Sequence, residues 1–120
     1  MKDIDKLQGV WKIVALEMEG HTVPPAAFGE GKIELSGSRF KTTGMGAAYE
    51  GTATFDECKS PCEFNLNFET GPEKGNASLG IYELDGDTWR ICLSTRGSTR
   101  PSKFAAETGT GFALEVLTRV

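Results

Sequence analysis

Cys58 and Cys62, three residues apart across Lys59-Ser60-Pro61, and His21, the chain's one histidine, are the residue types that zinc takes. A closed zinc site needs four such ligands, and the strand order set out below places His21 and the two cysteines at opposite ends of the molecule, so no metal is expected. A Cys58–Cys62 bridge is the alternative. It would close a short loop and add about 2 kcal/mol on the chain-entropy model. Alternation pairs Phe55 with Phe64 and so sets Cys58 opposite Pro61, which means that a bridge requires a bulged turn. The sequence predicts at most this one bridge, dependent on redox conditions.

Nucleophilic catalysis has no constellation to work with. His21 lies on a Gly-His-Thr tip with no cysteine or serine assigned to the same region, so no base and nucleophile meet. Gly29-Glu30-Gly31 and Gly44-Met45-Gly46 are Gly-x-Gly pairs, but neither lies between a strand and a full helix, as a phosphate-cradling loop would. Glu57 and Glu63 read as solvated turn residues. No catalytic residue, no cofactor and no enzymatic activity are expected.

One cluster stands out. Ser94-Thr95-Arg96-Gly97-Ser98-Thr99-Arg100-Pro101-Ser102-Lys103 holds three cations and five hydroxyls with no acid, in a chain whose net charge is -4. Guanidinium groups beside hydroxyls and backbone N–H groups suit a carboxylate or phosphate. The alternative is a solvated polar loop.

The elements that must position these residues follow from composition and periodicity. A chain of 120 residues has the length of one domain. With 13 Lys and Arg against 17 Asp and Glu, it lacks the basic surface that drives duplex nucleic-acid binding. No apolar run approaches the ~18 residues of a membrane span, and Met1–Lys6 has no apolar h-region, so no signal peptide is expected in the chain as given. Fifteen dispersed glycines indicate many turns and short strands.

Period-two alternation gives eight strands, over about 7–18, 32–36, 39–43, 47–56, 63–69, 76–83, 87–94 and 111–118. The inward sets include Leu7, Gly9, Trp11, Ile13 and Ala15, with Val10, Lys12, Val14 and Leu16 on the other face; Ile33 and Leu35; Phe40; Tyr49, Gly51, Ala53 and Phe55; and Phe64, Leu66 and Phe68. Around Leu84-Asp85-Gly86 a three-residue turn pairs Ile81 with Trp89 and Leu79 with Ile91, which would put Leu79, Ile81, Trp89, Ile91 and Leu93 on one face. On the last strand Phe112, Leu114 and Val116 are assigned inward. Pro24–Gly29 reads as one short helical turn in the first long connection. The predicted fold is all-β, an eight-stranded antiparallel up-and-down barrel with its first and last strands paired, and a two-sheet sandwich is the alternative. The long connections, about 19–31 and 95–110, emerge at one end, which makes that end the mouth.

Gly9-Val10-Trp11 on the first strand, the helical turn near residue 26 and Arg119 at the end of the last strand resemble the lipocalin-like (calycin) barrels, in which a Gly-x-Trp opens the first strand. Leu7-Gln8-Gly9-Val10-Trp11, Gly71-Pro72-Glu73-Lys74-Gly75, Gly80-Ile81-Tyr82-Glu83-Leu84-Asp85-Gly86-Asp87-Thr88, Cys92 and Arg100-Pro101-x-x-Phe104 are similar to a small, functionally uncharacterised lipocalin-like domain family abundant in planctomycetes and present in some other soil bacteria. The resemblance implies the barrel and a bacterial origin, and it implies no activity.

Trp11 is expected to plug the narrow end beneath Arg119, although the parity assigned to the last strand turns Arg119 outward. Cys92 is read as a half-buried thiol on the outer face beside Arg90 and Tyr82. The functional expectation is non-catalytic binding of a small apolar or amphipathic molecule inside the barrel. Its apolar body would meet Met45, Tyr49, Phe68, Leu79, Leu93 and Phe112, and an anionic group would meet Arg96 or Arg100. The alternative is an interaction or inhibitor-like module with a filled core and no internal ligand, whose protein partner the sequence does not name.

Overall fold

The computed structural model describes residues 3–44, 48–71, 74–94 and 99–120, and the Pro25 side chain is not among what it describes. Strands β1 (Gly9–Met18), β2 (His21–Thr22), β3 (Lys32–Ser36), β4 (Arg39–Thr43), β5 (Tyr49–Asp56), β6 (Cys62–Phe68), β7 (Ala77–Asp85), β8 (Thr88–Ser94) and β9 (Phe112–Arg119) pair antiparallel with their neighbours in one sheet. Pairing of β1 with β9 closes it. The two-residue β2 only extends β1 as a hairpin, so the barrel proper has eight strands. Closure leaves no edge exposed. Helix is confined to two single turns, α1 (Asp3–Lys6) and α2 (Pro25–Phe28). Among the described residues no helix is long and apolar enough to cross a membrane.

Cross-strand partners share a face, so the register defines the interior. The rows Trp11–Ile33, Leu35–Phe40, Phe40–Gly51, Gly51–Phe68, Ala53–Leu66 and Phe55–Phe64 all point inward, as the alternation predicts. Glycine is required twice inside. A Cβ on Gly51 would lie 1.8 Å from the Asn67 carbonyl oxygen, and one on Gly80 would lie 2.5 Å from the Phe64 ring. The bare backbone at Gly80 is what lets Phe64 lie across the barrel, in the row it shares with Gly80.

Three expectations about parity need correction. First, β1 has a register shift between Ile13 and Ala15, where Val14 bulges outward, so Leu16 and then Met18 turn inward beyond it. Second, the β7–β8 turn is the two-residue Gly86-Asp87, with Gly86 supplying the positive φ at its first position. Trp89 therefore pairs with Leu84, Ile91 with Tyr82 and Leu93 with Gly80. Ser78, Gly80, Tyr82 and Leu84 face inward, and Leu79 and Ile81 face outward. Third, in β9 the inward residues are Ala113, Glu115 and Leu117, opposite Leu93, Ile91 and Trp89, so Phe112, Leu114 and Val116 lie on the outer face.

The second correction has a cause in the structure. Residues 99–106 do not stand over the mouth but run down the outer wall of β6 to β8. The Arg100 guanidinium donates to the Phe64 and Gly80 carbonyl oxygens at 2.9 and 2.8 Å and to Asn65 Oδ1 at 2.7 Å, and its Nε lies 3.4 Å from Glu63. Arg90 lies over the Phe104 ring at 4.2 Å, and Cys92 Sγ contacts the Ala105 carbonyl oxygen at 3.4 Å. Beneath this strap Ile81 and Cys92 are buried although they are on the outside of the barrel. The covered stretch of β7 and β8 thus has apolar residues on both faces, and alternation cannot tell inside from outside there.

The strap is expected to depend on Arg100. Arg100→Met removes the donors to two backbone carbonyls and leaves Glu63 without its cation, so a loss of about 2 kcal/mol is expected in urea unfolding. Cys92 reports the same event. Burial pushes its thiol up from the ordinary value, and releasing the strap should speed its labelling in the folded protein by about tenfold or more. An unchanged labelling rate would mean that the strap holds without Arg100.

Candidate functional site

The two ends of the barrel differ in how they are closed. At one end the short β3–β4, β5–β6 and β7–β8 turns meet α1. Leu7, just past the helix, is buried and its carbonyl accepts from Trp11 Nε1 at 2.8 Å. The Tyr82 hydroxyl donates to Asp3 at 2.8 Å, and this bond together with desolvation pushes the phenol far above its ordinary value. Trp11 meets Trp89 edge to face at 5.5 Å, and Phe55 stacks on Phe64 at 6.0 Å and meets Tyr82 at 5.5 Å. This end is filled.

Arg119 seals it from outside. Paired with Trp11 across the β1–β9 seam, it places its guanidinium 4.3 Å from the Trp11 ring centroid and donates to the Gln8 carbonyl at 2.8 Å and to that of Lys6. The cation–π contact expected from the sequence is present, and the inverted parity of β9 removes the need for the chain end to curl.

At the other end the long connections emerge. Phe28, from α2, packs into the core there, and Gly44 approaches the Glu30 carbonyl so closely that its Cβ would lie 2.1 Å from that oxygen. Tyr49 and Phe68 are partly exposed and meet edge to face at 5.7 Å, Leu93 and Ser78 lie on the far wall, and Met18 reaches the rim 36% exposed.

One level below sits Glu115. Its register partners are Leu16 on β1 and Ile91 on β8, both buried core residues. Its side chain faces the interior between these two strands and is partly buried. No hydrogen bond or ion pair to it exists among the described residues. Desolvation alone pushes its carboxyl up to about 7. A second polar group inside, Trp89 Nε1, is buried without an acceptor among the described residues.

Of the residues assigned to a ligand from the sequence, Tyr49, Phe68 and Leu93 do converge on this end. Leu79 and Phe112 do not, because they face outward, at Asn65 and Ser94 in the register. Arg100 is also removed from the mouth, with its donors committed to the outer wall; a shallow groove of about 170 Å³ beside it is lined by backbone partners already satisfied by that guanidinium and by acidic side chains. Lys103 pairs with Glu107 at 2.8 Å. Met45 and Arg96 lie outside the described residues.

Glu115 and Met18 are among the interior residues that sequence reasoning missed, with Leu16, Tyr82, Leu84, Ala113 and Leu117. The bulge in β1 hides Met18. Glu115 is hidden because a glutamate between Leu114 and Val116 looks like the solvent side of an alternating strand. The only available signal was that Ala113 and Leu117 flank it on its own face.

The three cysteines are free, with Cys58 exposed and Cys62 near the carbonyl of Glu57 at 3.8 Å, and no cluster of potential metal ligands occurs among the described residues. Comparison with family models, curated proteins and solved structures finds no match to this chain.

Proposed function

We propose that the barrel binds a small, partly apolar molecule through the end from which the long connections emerge, as lipocalin-like barrels with an internal ligand do. The observation that carries this reading is that Tyr49, Phe68, Glu115 and Met18, whose register faces the interior toward the end of the long connections, are not fully buried, whereas Trp11, Trp89 and Leu117 at the floor are. Eight strands leave room for side chains or one small ligand, and here the side chains fill the lower part. Burying the ligand's apolar surface at about 25 cal/mol per Å² supplies the affinity, and aromatic edges at Tyr49 and Phe68 shape the wall. The reading is binding without chemistry.

Fluorescence titration with a graded series of medium-chain alcohols tests it. Saturable binding that quenches or shifts tryptophan emission, and that weakens in Phe68→Ala, is the expected result. The absence of saturable binding across the series would favour the second reading, a filled-core interaction module. The contiguous aromatic packing of Phe55, Phe64, Tyr82, Trp11 and Trp89 is the feature that supports that alternative.

A further inference from the structure

Resting on the reading of the barrel as a binder of small apolar molecules, we propose that its ligand carries an amine, bound as the ammonium ion on the Glu115 carboxylate with the apolar body lying toward Tyr49 and Phe68. The placement of charge in the molecule argues for this head group. Glu115 is an interior side chain, held by register between Leu16 and Ile91, with accessible surface and no partner among the described residues. An isolated carboxylate in such a place is costly unless a cation or several donors meet it.

Among the described residues the neighbouring walls supply neither. The inward residues of β1 are Trp11, Ile13, Leu16 and Met18, those of β8 are Trp89, Ile91 and Leu93, and the rest of β9 contributes Ala113 and Leu117. Across the lumen the titratable groups are the Tyr49 and Tyr82 phenols and Cys62, and Tyr82 is already committed to Asp3. Among the described residues Asp3 and Arg119 meet the interior aromatics Tyr82 and Trp11, both at the floor. On the strap, Arg100 and Lys103 are engaged elsewhere.

A ligand carboxylate would put two like charges in one apolar chamber. An alcohol could donate one neutral hydrogen bond. An ammonium head donates charge-assisted hydrogen bonds, neutralises the carboxylate and leaves an apolar tail for the rest of the wall. The preference is therefore amine over alcohol over carboxylate, the reverse of what the cation-rich 94–103 segment suggests when read alone.

Protonation of Glu115 sets the pH dependence. With a folded value of about 7, its carboxylate is mostly formed at pH 8 and mostly lost at pH 6. An amine that needs the carboxylate should bind about tenfold more weakly at pH 6 than at pH 8.

Calorimetric titration of decylamine, decanol and decanoate into wild-type protein and Glu115→Gln tests the assignment. At pH 8 decylamine should bind wild type at least about tenfold more tightly than decanol, with decanoate weakest; in Glu115→Gln the amine's advantage over decanol should vanish. The wild-type pH dependence for decylamine provides a check that needs no variant. Equal affinities for amine and alcohol in wild type, or an amine preference that survives Glu115→Gln, would overturn the assignment while leaving apolar binding intact. If none of the three binds either protein, the binding reading itself fails.

Discussion

Trp11→Ala is expected to lower stability by about 4 kcal/mol, the largest single loss at the floor of the barrel. Trp11 is fully buried, and three elements meet on it. Its indole N–H holds the Leu7 carbonyl, its ring takes the edge of Trp89, and Arg119 covers its outer face. Truncation opens a cavity that the closed strands on either side cannot collapse, and it also removes the surface on which Arg119 rests. Arg119 would still reach the Gln8 and Lys6 carbonyls, so the fold should persist with α1 less firmly held. Urea unfolding should show a lower midpoint with an unchanged slope, and a loss below about 1 kcal/mol would mean that the plug is not part of the core.

Glu115→Gln is expected to act in the opposite direction. A carboxyl whose folded pKa is raised binds its proton more tightly in the folded than in the unfolded state, so stability falls as pH rises from the unfolded value through the folded one. Between 4.5 and about 7 the folded protein must give up a proton that the unfolded chain has already lost. At pH 8 the ionised Glu115 should therefore cost about 3 kcal/mol relative to the protonated form. Glutamine occupies the same volume without ionising. The variant should exceed wild type by up to that amount at pH 8, and the gap should narrow toward pH 4.5. A constant difference between the two proteins across this range would place the carboxyl in water.

The architecture was legible because most strands alternate cleanly. Gly51, Ala53 and Phe55 against Phe64, Leu66 and Phe68 define both a register and a face, and the structure has both. The two strands with apolar residues on both sides were not legible in the same way. Ile81 and Cys92 are buried by residues 99–106 from outside, so their hydrophobicity records the strap and not the lumen. Period-two reasoning assumes one wet face, and under the strap the outer face of β7 and β8 at Ile81 and Cys92 is not wet. The same assumption turned β9 over, placing Phe112 inside and Glu115 outside.

The candidate site was accordingly half legible. Tyr49, Phe68 and Leu93 were available from alternation alone. The charge at the site was misplaced, because three cations in one loop were read without knowing that Arg100 would reach back to the Phe64 and Gly80 carbonyls and that Lys103 would pair with Glu107. A buried carboxylate gives no local signal in sequence. It is recognised only when closure of β1 on β9 brings Leu16 against it.

The most direct test is to follow the Glu115 side-chain carboxyl by carbon NMR across pH, alone and with saturating decylamine. The account predicts a midpoint near 7 in the free protein and a downward shift of at least about one unit with the amine, because an ammonium partner favours the ionised form. A free-protein midpoint near 4.5, unmoved by decylamine, would contradict it.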